Sequence, residues 1–264
     1  KKNQISIFES EVLIVTDDNQ TIESDYAEYD KLKNFIKVKG NVKFTDEKNN
    51  ILKTSAASYN VKTKIFNSVG ETTAITSENY KLEGENLNID GINKIISSDK
   101  KAKIEDINQN IIFLENFEYL INQNIFKSIG YIEIQDVNQN TYEFSQIYID
   151  TNLKKILGTD IDAKINQENF KINKENKPRI LANTIEMSEE ISSFNKSIFT
   201  ICDYRPNDKC PPWTIKASKM IHDSKKKTIY YDNAIVQVYN IPIFYFPKLS
   251  HRQCHGSSHY LGYF

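Results

Sequence analysis

Residues 36–44 read Ile36-Lys37-Val38-Lys39-Gly40-Asn41-Val42-Lys43-Phe44. Apolar side chains take alternate positions, so Ile36, Val38, Val42 and Phe44 share one face of an extended chain. Lys37, Lys39, Asn41 and Lys43 take the other. A period of two is the pattern of a strand with one buried and one wet face. Asp160-Ile161-Asp162-Ala163-Lys164-Ile165 alternates in the same way, with Ile161, Ala163 and Ile165 on one side. Ile, Val, Thr, Tyr and Phe, the residues that suit a pleated surface, recur in these stretches. No stretch carries a sustained helical stripe.

Outward from this strand the pattern repeats. Cuts at Thr21, Ile51, Lys81, Ile111 and Thr141 give segments of 30 residues in register. Their seventh positions are Ala27, Ala57, Leu87, Phe117 and Ile147, and their ninth are Tyr29, Tyr59, Ile89, Tyr119 and Ile149. The tenth positions, Asp30, Asn60, Asp90, Leu120 and Asp150, are mostly short polar residues that initiate turns. Glycine stands at the twentieth position in three segments (Gly40, Gly70, Gly130) and two residues earlier in the fifth, at Gly158. Agreement of period and punctuation marks an internal repeat. The expected fold is all-β: antiparallel hairpins stacked along one axis, each repeat touching its neighbours. The apolar face can close on itself as a core or stay open as a trough; periodicity does not separate the two.

The bulk composition narrows the function. A net charge of −1 over 264 residues gives no basic excess for neutralising phosphates, so no nucleic-acid partner is expected. The longest apolar stretch, Ile241 to Pro247, is far shorter than the roughly 20 residues of a membrane helix. The chain begins at Lys1 without Met, as a processed or partial chain would. Five of the 6 prolines follow Thr200 (Pro206, Pro211, Pro212, Pro242 and Pro247), so a uniform repeat region over 1–175 gives way to a punctuated, aromatic one over 176–250. Residues 251–264 form an atypical tail.

Signatures of catalysis are missing: there is no nucleophile elbow, P-loop, dinucleotide fingerprint or zinc-protease motif. The chain is expected not to be an enzyme and to need no cofactor and no metal. His251, Cys254, His255 and His259 could be drawn as a metal site, but they lie in the tail with no strand pattern to fix them. His222 beside Asp223 reads as a surface turn. Acids such as Glu83, Glu85 and Asp90 recur with the repeat, as a solvated face does. Cys202 and Cys210 sit in a Pro-rich loop at a spacing poor for zinc, and a local disulfide in an oxidising compartment is expected there.

The block from Cys202 to Leu249 carries a family resemblance. It contains Pro211-Pro-Trp-Thr-Ile-Lys-Ala217, then His222-Asp223, then Tyr231-Asp-Asn-Ala234, then Pro242-Ile-Phe-Tyr-Phe-Pro247. These motifs resemble the end of the N-terminal periplasmic domain of the LPS-assembly outer-membrane protein, also called the organic-solvent-tolerance protein. The earlier repeat, with Ala27-Glu-Tyr-Asp30 and Gly40-Asn-Val42, looks like that of the soluble LPS-bridge proteins. Together the likeness covers nearly all of residues 1–250.

The resemblance implies an open-sided antiparallel repeat β-jellyroll that carries lipopolysaccharide without chemistry, in the periplasm and associated with the outer membrane of a Gram-negative cell. The implied partners are lipid A acyl chains, a periplasmic LPS-bridge protein joined by edge-strand pairing, and an outer-membrane barrel with its plug lipoprotein. The implied groove is lined by Ala27, Tyr29, Ile36, Val38, Val42, Phe44, Ala57, Tyr59, Leu87, Ile89, Phe117, Tyr119, Ile147 and Ile149. One departure is plain: after His251 the chain runs Arg-Gln-Cys-His-Gly-Ser-Ser-His where the family leads into its barrel, so this polypeptide is not expected to insert in the membrane itself. A free-standing bridge protein is the nearest alternative, although bridge proteins are built of repeats alone. A secreted β-helix enzyme or adhesin acting on polysaccharide is the alternative of another class.

Overall fold

A computed structural model describes residues 4–77, 79–166, 178–188, 190–200, 213–223 and 225–252, and the backbone of 261–262. Cys202, Cys210, Cys254, His255 and His259 lie outside the described residues, and with them the expected disulfide. Among the described residues every regular element is a strand and every strand pairing is antiparallel. No helix among them is long and apolar enough to cross a membrane. The chain divides into two compact units, Lys1–Ile129 and Gly130–Phe264. The change of sequence texture near residue 175 falls inside the second.

The first unit opens as a meander of long strands: β1 (Ile5–Val15), β2 (Thr21–Asp30), β3 (Phe35–Thr45), β4 (Ile51–Asn60) and β5 (Ile65–Ile75). The strands then break in half at their midpoints, giving β6 (Lys81–Glu85), β7 (Asn88–Asp90), β8 (Ile95–Ser98), β9 (Ala102–Glu105), β10 (Ile111–Leu114) and β11 (Phe117–Leu120), before β12 (Ile125–Gln135) runs long again. The halves continue the sheet separately. β5 pairs with β6 along its second half and β7 along its first, and the pairing then runs β6–β9–β10 and β7–β8–β11. The second unit is another meander: β13 (Thr141–Asp150), β14 (Lys155–Lys164), β15 (Arg179–Met187), β16 (Ile191–Thr200), β17 (Trp213–Asp223), β18 (Thr228–Val238) and β19 (Ile241–Arg252), with the two-residue β20 (Leu261–Gly262) on β19.

The turns follow the polar residues that recur in the sequence. On one rim, Asp30, Asn60, Asp90 and Asp150 each accept backbone N–H bonds from the residues two and three further on, at 2.8–3.1 Å. This is the Asx-turn chemistry those positions call for. On the other rim, Asp46, Asp106 and Asp136 each accept from two backbone N–H groups and from the side chain of Asn50, Asn110 or Asn140. Each of these turns has a fixed length, and the fixed length keeps the strands in register.

A corner at mid-strand bends every second strand. Positive φ occurs at Ser10-Glu11, Gly40-Asn41, Gly70, Gly130 and Asp160, a series with the period of the repeat. Gly40 fits this corner for two reasons: its φ is +75°, and an added Cβ would lie 2.4 Å from Asp25 Oδ2, which accepts a hydrogen bond from Asn41 Nδ2. Such a φ strains any residue that carries a Cβ. Gly158 does a different job from the one its place near the series suggests. The corner of that repeat is Asp160, whereas an added Cβ at Gly158 would lie 2.5 Å from the ring of Phe144.

The corners fold each unit so that its two strand halves face one another. Phe44 lies in the second half of β3 and Phe66 in the first half of β5, yet their ring centroids are 4.7 Å apart. In the second unit Phe199 and His251, whose strands run in opposite directions and which stand at opposite ends of the pairing register, are 6.1 Å apart. Buried hydroxyls line the corners and satisfy the carbonyls that the bends release from the ladders. Ser24 bonds to the carbonyl of Tyr26, Ser98 to that of Glu85 and Ser128 to that of Asn116. A buried carbonyl left without a donor would be costly.

Candidate binding lane

Strand register turns the repeat into two continuous apolar ladders in the first unit. Beside one rim, Tyr29, Ile36, Tyr59, Phe66, Ile89, Ile96, Tyr119 and Phe126 stand opposite one another in succession across β2–β5, β7, β8, β11 and β12. Beside the other rim the succession is Ile14, Ile22, Phe44, Leu52, Ala74, Leu82, Ile104 and Ile112. The ladders face each other across the fold, as the Phe44–Phe66 contact shows. Between them, at the corners, lie Ala27, Val38, Ala57, Leu87 and Phe117, all less than 5% exposed.

All fourteen residues named from sequence as groove-lining are buried or half-buried. Tyr29, Ile36, Tyr59, Ile89 and Tyr119 belong to the first ladder and Phe44 to the second. Val42 stands opposite Thr54 beside the corner. Ile147 and Ile149 belong to the second unit, where they oppose Gly158 and Ile156. The facing halves of both ladders escaped the sequence reading: Phe66, Ile96 and Phe126 stand 30, 60 and 90 residues after Ile36, and Leu52, Leu82 and Ile112 follow Ile22 likewise. The same period would have found them.

In the second unit the inward row runs Ile147, Gly158, Ile185, Phe194, Met220, Tyr231 and Leu249. The row next to it begins apolar, at Ile149, Ile156 and Met187, and then mixes the polar Ser192, His222 and His251 with the buried Ile229. His222 is therefore a half-buried strand residue of β17 and not a surface turn. The turn belongs to Asp223, which accepts from the Lys226 N–H at 2.8 Å. Burial pushes the Tyr231 phenol far above its ordinary pKa, and its ring stacks on His251 at 5.6 Å. The resemblance motifs fall on three adjacent strands: Trp213–Ala217 on β17, Tyr231–Ala234 on β18 and Pro242–Pro247 on β19.

Both outer strands show apolar surface. In β1, whose only strand partner among the described residues is β2, Ile5, Ile7, Phe8, Leu13 and Val15 are 44–62% exposed. In β19, Ile241, Ile243, Phe244 and Tyr245 are 50–61% exposed.

Charge gathers at the rims of the first unit. Lys64 Nζ lies 2.6 Å from Asp18 Oδ2 and Lys94 Nζ lies 3.6 Å from Glu47 Oε1. The Lys64 hydrogen bond holds the Asp18 carboxyl below its usual range, and the same bond raises the Lys64 ammonium. Beneath them burial raises the Tyr59 phenol, reinforced by the Asp18 charge. Among the described residues no group of three His, Cys, Asp or Glu is placed to hold a metal ion. Between the ladders lie apolar side chains and tyrosine rings, and ion pairs stand at the rims.

No protein-family model and no curated protein matches the chain. Among solved structures, 52% of the chain is similar to 79% of LptH, the LptA-homologous periplasmic component of the conserved lipopolysaccharide transport device of Pseudomonas aeruginosa, at 16% identity and a TM-score of 0.24. A second likeness, at 9% identity and a TM-score of 0.19, joins 89% of this chain to 98% of the wild-type TCP10 domain of Danio rerio CPAP in complex with a peptide of Danio rerio STIL. At these scores neither likeness bears on what the chain does.

Proposed function

We propose that this chain carries lipopolysaccharide in the periplasm without chemistry, holding lipid A acyl chains between its apolar ladders and passing them towards an outer-membrane barrel. The observation that carries the reading is the pair of unbroken ladders, eight residues each, one wholly aliphatic and aromatic hydrocarbon and the other broken in polarity only by the phenols of Tyr29, Tyr59 and Tyr119. Burying a methylene contributes about 0.8 kcal/mol. A lane of this kind therefore holds acyl chains by area alone and leaves an anionic headgroup outside in water. The block from Pro211 to Pro247 supports a place at the outer membrane over a free-standing bridge, since its motifs resemble those that precede the barrel. The open edge of β1, with its exposed apolar side chains, supports a bridge protein as the partner that adds a strand there.

The test is photocrosslinking in cells that make lipopolysaccharide. A photoreactive residue at Phe44 or Tyr59 is expected to capture lipopolysaccharide, and one at the outward Lys43 is not. Equal capture at the inward and outward positions, or none at either, would show that the ladders are only a core.

A further inference from the structure

The two rims of the first unit are built alike and fastened differently. Along one rim the turns are joined by backbone hydrogen bonds at a constant spacing: Lys31 N to Gln4 O, Val61 N to Asn34 O, Gly91 N to Lys64 O and Ile121 N to Lys94 O, at 2.9–3.1 Å. The back of the fold is continuous backbone, bent at Ser10-Glu11, Gly40-Asn41 and Gly70. Between the rims, among the described residues, no backbone hydrogen bond forms. What joins them is charge. Asp18 and Glu47, in the turns after β1 and β3, meet Lys64 and Lys94, in the turns after β4 and β7. Each pair links rims that lie on opposite sides of the lane, directly outside the ladders that meet at Phe44 and Phe66.

We infer that these two ion pairs are a latch on the lane, and that acyl chains enter and leave sideways when the pairs part and the rims separate about the corners. The inference rests on the lipid-carrying reading and adds to it the route of loading. Three features fit a latch better than a structural tie. The side chains are a third to a half exposed (34% and 34% for Lys64 and Asp18, 32% and 54% for Lys94 and Glu47), so water and salt reach them. Exposed pairs of this kind are weak and are screened by salt, which suits a contact that has to open. The core behind them is closed, with Phe44 against Phe66, so a ligand has to displace one ladder from the other to enter. The charge is also local: one repeat beyond Lys94, the residue at the corresponding place is the uncharged Asn124.

The experiment uses the full chain and reads the rims and the lipid separately. Nitroxides attached through genetically encoded keto amino acids at Asp17 and Lys62, one on each rim, leave the native cysteines untouched and report rim-to-rim distance by pulsed EPR. Fluorescently labelled rough-type lipopolysaccharide reports loading. Neutralising the latch, by Asp18→Asn with Glu47→Gln, is expected to lengthen the distance distribution and to speed loading by about 3- to 10-fold, the scale that two exposed pairs support. High salt is expected to do the same to the wild type and to add nothing in the neutralised variant. Exchanging the charges, by Asp18→Lys with Lys64→Asp, is expected to restore wild-type distance and rate, which loss of folding would not do. An unchanged distance distribution in the neutralised variant overturns the latch, whether or not loading changes. Rims that part on neutralisation in a protein that takes up no lipopolysaccharide in any form leave the latch standing and overturn the carrier reading.

Discussion

The two units use one folding rule and differ in how far they keep it. In the first, turn and ladder recur every 30 residues, and each buried corner hydroxyl finds a hydrogen-bond partner. In the second, one row mixes Ser192, His222 and His251 with apolar residues, and small residues gather near the corner, with Ala182, Ser197, Ala217 and Ala234 all less than 8% exposed. All the buried side-chain atoms found without a hydrogen-bond partner among the described residues lie in the second unit, including Ser197 Oγ, Thr214 Oγ1 and Tyr231 Oη. A regular repeat satisfies its polar groups by copying one local solution. Where the copy lapses, each polar group has to be satisfied singly, and several are not.

The largest effect expected of a single substitution sets the inside of the first unit against the edge of the second. Phe66 is 1% exposed and meets Phe44 across the lane, whereas Phe244 is 60% exposed at the outer strand. Phe66→Ala is expected to cost about 3–5 kcal/mol, as truncation of a buried aromatic does. Phe244→Ala should stay within about 0.5 kcal/mol, as surface changes do. Urea denaturation of both variants checks the contrast. Equal losses would mean that the edge of β19 is as much a part of the core as the lane.

A smaller effect separates the two roles that glycine plays. Gly158→Ala is expected to destabilise by about 1–3 kcal/mol, because the new Cβ would lie 2.5 Å from the Phe144 ring and the packed interior has no room for it. Adding Phe144→Leu to that variant should recover much of the loss, since the clash is with the ring and not with backbone. No recovery in the double-mutant cycle would place the cause in the local backbone, as at a corner, and would erase the distinction between Gly158 and Asp160.

Much of this architecture is legible in the sequence, and the parts that are not share a cause. The strand pattern of Ile36–Phe44, the period and the turn residues follow from local chemistry: alternation reports one buried face, and Asp or Asn at a fixed place reports a turn. Gly40 and Gly70 mark corners because their φ demands glycine. Asp160 escaped because the corner does not demand glycine everywhere and Gly158 stands two residues away as a decoy. His222 escaped because the Asp that follows it does make a turn, while the histidine itself is paired on both sides within a strand. That Phe44 meets Phe66, or Asp18 meets Lys64, is invisible to periodicity. Those contacts depend on how sharply the corners bend, and the bend is a property of the sheet and not of any one residue.

The last prediction has the smallest magnitude and the opposite sign. Tyr231 is 1% exposed, its hydroxyl has no hydrogen-bond partner, and its desolvation keeps the phenol neutral. A buried hydroxyl without a partner forfeits its water and receives nothing in return, a penalty of about 1–3 kcal/mol when no partner replaces the solvent. Tyr231→Phe removes the oxygen and keeps the ring that stacks on His251, so the variant is expected to be more stable by up to about 1 kcal/mol, the lower end of that range. In the first unit the corresponding test is Ser128→Ala, where the hydroxyl bonds to the Asn116 carbonyl at 2.6 Å, and the expected sign is a loss of about 1 kcal/mol. Thermal or urea denaturation of the two variants measures the comparison directly. If Tyr231→Phe also destabilises, its hydroxyl has a partner in solution, and the two units do not differ in how their buried polar groups are satisfied.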